Sequence, residues 1–158
     1  MGCPMTAQTF LHLEPAGGER LRFLDDSELI IKSSGDPTDG APAHYEYLAA
    51  PAAKGSPQHI HHGHDETFYV VEGEFEFSLG PRSIAAGPGT FLLVRRGQPH
   101  GFRNSGQGRG RIVGTFAPGF SQYFRELADI IGRTGAPPPV EAWKELYGRY
   151  DTSFYDLA

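Results

Sequence analysis

The sequence predicts an all-β fold finished by two helices at the C-terminal end. Three observations carry that prediction. The 21 glycines and 13 prolines punctuate the chain up to about position 119. Between them lie short apolar or alternating runs of strand length. After Pro118 the apolar spacing changes from every second position to every third or fourth.

The strand-like runs are, in order, RLRFL, LIIKS, HYEYLAA, TFYVVEG, EFEFSLG, TFLLVRR, HGFRN and RIVGTFA. Short strands separated by regular turn signals predict a sandwich or a barrel. In TFYVVEGEFEFSLG, Phe75, Phe77 and Leu79 alternate with Glu74, Glu76 and Ser78. With Gly73 as the turn, that stretch predicts a hairpin with one buried and one wet face. Phe120, Phe124, Leu127 and Ile131 then recur at helical spacing, and Gly132 supplies a stop. GRTGAPPPV is a stiff connector. Val140, Trp143, Tyr147 and Tyr150 predict a second amphipathic helix, with Glu141 in its first turn complementing the helix dipole. The chain divides into an N-terminal arm at 1–17, a β domain at 18–118 and a helical extension at 119–158.

At 158 residues the chain suits one domain with a sizeable core. A net charge of -5 and a pI near 5.8 argue against nucleic acid or an anionic membrane as the main partner. The stretch RNSGQGRGR reads as a Gly-rich loop between strands. The single cysteine, Cys3, permits no internal disulfide. No run resembles a signal-peptide core or reaches the roughly 18 to 20 apolar residues that span a bilayer. A soluble cytoplasmic protein is the expectation.

Chemistry concentrates in GSPQHIHHGHDE, residues 55–66, which holds four histidines and two acids. Metal ligands must converge on one point, with donors about 2.0 to 2.2 Å from the ion. Residues two apart on a strand share a face and lie roughly 6.6 Å apart. His59 with His61, and His62 with His64, both satisfy that spacing. On one straight strand His62 and Glu66 would lie about 13 Å apart, near the limit of closure. A loop at His62–Gly63–His64–Asp65 instead folds Glu66 back beside His59 and His61, which favours the first pair. His62 and His64 then become loop or rim residues. Downstream, His100 follows the Gly97–Gln98–Pro99 turn and shares a face with Phe102 and Asn104. A lone histidine of this kind is more often structural than a ligand.

Together the two stretches resemble the paired motifs of the cupin superfamily. The first is carried by His59, His61, Glu66 and Gly73. The second is carried by Gly89, Arg95 in place of the usual proline, Gly97, His100 and Asn104. The wider pattern, from GERLRFL through DETFYVVEGEFEF and RRGQPHGFRN to PGFSQYFREL, is similar to small single-domain cupins related to quercetin 2,3-dioxygenase. The resemblance implies a single jelly-roll β-barrel with the two helices as an extension. It also implies one divalent transition metal on His59, His61, Glu66 and His100, and a homodimer.

Three imidazoles and a carboxylate leave an octahedral ion two open positions and suit Fe, Mn, Ni, Cu or Zn. The function expected from the resemblance is a dioxygenase acting on a small enol, catechol or flavonol-like substrate. Glu66 would then serve as ligand or as the base taking a substrate proton. Phe68, Phe75, Phe77, Phe91 and Phe102 are candidates for an apolar pocket wall, with barrel core as their simpler role. Tyr69 alternates outward. A metal-dependent isomerase or lyase of a small sugar or keto acid, and a non-catalytic ligand-binding cupin, share the same fold and stay open.

Overall fold

A computed structural model describes residues 10–36 and 38–156. Cys3 and most of the arm expected at 1–17 lie outside the described residues. The strands are β1 (Glu19–Arg22), β2 (Glu28–Ser33), β3 (Ala43–Ala49), β4 (Ser56–His61), β5 (Asp65–Glu72), β6 (Phe75–Leu79), β7 (Arg82–Ala86), β8 (Phe91–Val94), β9 (His100–Asn104) and β10 (Gly110–Ala117). They are followed by α1 (Ser121–Thr134), α2 (Val140–Arg149) and a last short strand, β11 (Thr152–Phe154).

The strands form two antiparallel sheets. One has the order β1-β2-β3-β10-β5-β8, the other β11-β4-β9-β6-β7. They meet through side chains: Phe68 on β5 packs against Phe77 on β6 and Phe102 on β9, with ring centroids 5.0 and 5.7 Å apart. This is the all-β jelly-roll with two C-terminal helices that the sequence predicts. Alternation sets the core, since Glu66, Phe68 and Val70 all face inward from β5 and Tyr69 faces out.

The expected hairpin through Gly73 does not form. β5 pairs with β10 and β8, whereas β6 pairs with β7 and β9. Gly73 is the corner at which the chain leaves one sheet for the other. Its φ is 84°, and a Cβ there would fall 2.7 Å from the Gly110 backbone. The left-handed φ that marks a hairpin turn serves a sheet switch equally well. The hairpin that does form joins β6 to β7, with Leu79 opposite Arg82 and Gly80 in a left-handed conformation.

Helix α1 runs through Gly132 and stops at Gly135, whose φ is 66° and whose N–H reaches the Ile131 carbonyl. A glycine inside a helix costs roughly 1 kcal/mol, which packing of the Tyr123 and Leu127 face overrides. Among the described residues, no helix is long and apolar enough to cross a membrane.

Candidate metal centre

His59 and His61 alternate onto the inner face of β4, and both are buried. Strand pairing puts His100 of β9 directly opposite His59. The turn at residues 62–64 returns the chain so that Glu66 enters from β5, in the facing sheet. All four residues predicted from the sequence therefore meet, with their potential ligand atoms within 4.8 Å of one another. His59 Nε2 lies 3.0 Å from His61 Nε2, His61 Nε2 lies 3.3 Å from Glu66 Oε2, and His100 Nε2 lies 3.0 Å from the same oxygen.

The outer ring nitrogens are all engaged. His59 Nδ1 donates to the Pro57 carbonyl at 2.8 Å and His100 Nδ1 to the Gln98 carbonyl at 3.0 Å. His61 Nδ1 faces the Thr152 hydroxyl at 3.0 Å. That hydroxyl donates its own hydrogen to the Tyr150 carbonyl, so it accepts from His61. Protons on Nδ1 leave the Nε2 lone pairs of His59 and His61 aimed at each other. Such an arrangement calls for a cation between them. Burial, and then the neighbouring imidazoles, hold both rings well below the usual histidine range, so a proton does not fill that role. The donor set fits a divalent transition ion.

Glu66 is fixed as well. Tyr45 donates its hydroxyl to Oε1 at 2.8 Å, leaving Oε2 toward the imidazoles. Burial first, and then the charge of Glu66, raise the Tyr45 phenol well above its usual range, so it remains a donor. Tyr45 can lie this close to β10 because Gly114 stands opposite it. A Cβ at Gly114 would fall 2.4 Å from the phenol oxygen. Burial lowers the His100 imidazole, but the Glu66 carboxylate and the Gln98 carbonyl outweigh it and raise its pKa.

Residues 46–116 match the family described as Cupin domain. That segment is a cupin domain. Over 120 residues this cupin is 32% identical to quercetin 2,3-dioxygenase of Bacillus subtilis (strain 168), covering 74% of its own length and 34% of that protein. It thus spans about a third of that relative. Among solved structures it is similar to KdgF from Halomonas sp., with TM-score 0.62, 18% identity, and coverage of 72% of this chain and 98% of that one. Pac13 of Streptomyces, described as a unique nucleoside dehydratase, gives a TM-score of 0.56 at 20% identity, covering 72% of this chain and 87% of that one. These structural likenesses show the fold.

The cupin's other two loop histidines differ from each other. His62 is exposed and bonds the Ser153 hydroxyl at 2.9 Å. His64 is not a rim residue: it is 5% exposed, with its ring centroid 3.9 Å from His61 and 4.3 Å from Phe120. Its Nε2 has no hydrogen-bond partner among the described residues, and burial pulls its pKa down to about 3. Neither residue joins the four-residue group.

A cavity of about 320 Å³ opens against the cluster, lined by His59, His61 and Glu66. Its walls are aromatic: Tyr45, Phe102 and Phe116 from the sheets, and Phe120, Tyr123 and Tyr147 from the helical extension. The expected wall is therefore corrected. Phe102 belongs to it, whereas Phe68, Phe75 and Phe77 are 1% exposed and pack the core between the sheets. Phe91 is 61% exposed on the outer face, because Leu92 and Val94 are the residues of β8 that turn inward. Arg95 and Arg96 both bind Asp65 at the surface, each at 3.1 Å. Sequence reasoning missed Tyr45 and Thr152 as partners of the cluster.

Proposed function

We propose that this cupin holds one divalent transition ion on His59, His61, Glu66 and His100 and acts as a dioxygenase on a small enol, catechol or flavonol-like substrate. One observation carries the reading: three imidazole nitrogens and one carboxylate oxygen converge at the wall of an aromatic cavity. A bound ion supplies Lewis acidity toward a substrate hydroxyl and a place for dioxygen beside it. The protein does the rest. The aromatic walls hold a flat ring and exclude water, and Tyr147 lies over His59 with ring centroids 5.7 Å apart. Tyr45 keeps Glu66 Oε1 occupied, so Oε2 is the atom that ligates or takes the substrate hydroxyl's proton. The likeness to a quercetin 2,3-dioxygenase supports the reaction class.

Untagged protein, stripped and reloaded anaerobically with Fe(II), Mn(II) or Ni(II), tests the reading in an oxygen electrode with flavonols, catechols and β-diketones. Oxygen uptake is expected with at least one pairing and is lost on stripping the metal. Turnover without uptake would instead make the protein an isomerase or lyase, a reading that the nucleoside dehydratase neighbour favours. Binding without turnover would leave a ligand-binding cupin.

The cytoplasmic setting and the homodimer belong to the same proposal. An apolar outer face supports the dimer: exposed Tyr69 pairs with exposed Phe91 on one side and Val113 on the other, beside exposed Leu93. That sheet ends at β8, so the patch reaches its edge. Sedimentation velocity is expected to show a dimer that Phe91→Glu converts to monomer. A monomeric wild-type protein would defeat this part.

A further inference from the structure

We infer that Thr152 is a positioning residue of the metal centre, so that the C-terminal segment completes a site whose ligands all come from the β domain. The inference rests on the metal reading above and goes beyond it. His61 and Thr152 stand 91 residues apart in the chain yet opposite each other in the β4–β11 ladder. Thr152 is buried, and its hydroxyl is polarised in one direction: it gives its hydrogen to the Tyr150 carbonyl and turns a lone pair toward His61 Nδ1, 3.0 Å from each. An acceptor there obliges Nδ1 to carry the imidazole proton. Only then does Nε2 present a lone pair toward Glu66 and His59.

The residues on either side of β11 are zipped along the same stretch. His62 N–H donates to the Asp151 carbonyl at 2.8 Å, and Tyr155 N–H donates to the Gln58 carbonyl at 3.1 Å. The His62 ring meets the Ser153 hydroxyl. Upstream, Arg149 and Tyr150 both bind Glu126 of α1. The two helices that wall the cavity are therefore tied, through Tyr150 and Thr152, to one imidazole of the cluster. Losing the acceptor would free the Nδ1 proton to move to Nε2, where the carboxylate of Glu66 waits 3.3 Å away, and that tautomer cannot ligate.

The test compares Thr152→Val, which keeps shape and loses the acceptor, with Thr152→Ser, which restores it. Ser153→Ala removes the neighbouring hydroxyl as a control for β11 itself. In metal-free protein, ¹⁵N-histidine NMR is expected to show His61 as the Nδ1–H tautomer in wild type and Thr152→Ser, and shifted toward Nε2–H in Thr152→Val. Competition titration with Co(II) or Zn(II) against a chromophoric chelator is expected to show about 10- to 100-fold weaker binding for Thr152→Val alone. The assignment falls if Thr152→Val keeps both tautomer and affinity, or if Ser153→Ala or Thr152→Ser weakens binding as much as Thr152→Val does. If Thr152→Val does not fold, the tautomer of His61 in metal-free wild type decides: Nδ1–H supports the assignment and Nε2–H overturns it. If wild type binds neither ion, the metal reading itself fails and takes this assignment with it, even where the NMR contrast holds.

Discussion

Replacing His59, His61 or His100 by alanine is expected to empty the metal centre, with a loss of affinity greater than the roughly 10- to 100-fold that outer partners command. Each removes one of only four donors from a site whose members are all buried, so water and neighbouring side chains have little room to substitute. His62→Ala is expected to keep full occupancy, because that ring is exposed and bonds only Ser153 among the described side chains. His64→Ala separates occupancy from stability. The ring contributes no atom to the four-residue group but fills space between His61 and Phe120, so occupancy survives while the melting temperature falls. Metal content by elemental analysis, set beside thermal melts of the same samples, checks all five variants. An empty centre in His62→Ala or His64→Ala alone would mean that the wrong pair of histidines has been assigned.

Acid is expected to unfold the metal-free protein well before its carboxylates titrate fully. Burial lowers His64 from the ordinary 6.5 to about 3 in the folded state, and it lowers His59 and His61 in the same direction. Between those values the unfolded chain binds more protons than the folded one, so stability rises with pH and is lost as pH falls through 6.5 toward 3. One such group contributes about 1.4 kcal/mol for each pH unit inside that window. His100 opposes the trend at the upper end, since Glu66 and Gln98 raise it against the effect of burial. Three lowered rings outweigh one raised ring. Urea midpoints from pH 7 to 4 are expected to fall steadily, and a bound divalent ion to hold them up until protons displace it. Midpoints that stay level or climb on acidification would contradict the burial of these imidazoles.

Much of this was legible in the sequence because period and spacing are physical constraints. Two-residue alternation fixes which face a strand buries, and β5 obeys it from Glu66 to Val70. His59 and His61 could be paired because a shared face and a reachable third ligand leave few solutions. Other features left weaker marks. β7 is exposed at four of its five positions and β11 has three residues, so neither carries an apolar rhythm. At Gly73 a left-handed turn signals a reversal but not which sheet the chain enters next. Phe91 turns outward against expectation because β8 is four residues long and its inward parity is set by neighbours, not by its own pattern. The aromatic helix faces announce burial without saying whether a core or a cavity receives them. Thr152 carries no local sign at all: its significance exists only once β11 lies against β4.

Gly114 shows what a tally of donor atoms leaves out. It supplies neither charge, nor ring, nor hydroxyl, yet the phenol that aims the carboxylate occupies the very space a methyl group would need. Damage at that position would read, in any survey of variants, as a flaw in a central strand, while its effect on chemistry would travel through the bearing of one oxygen.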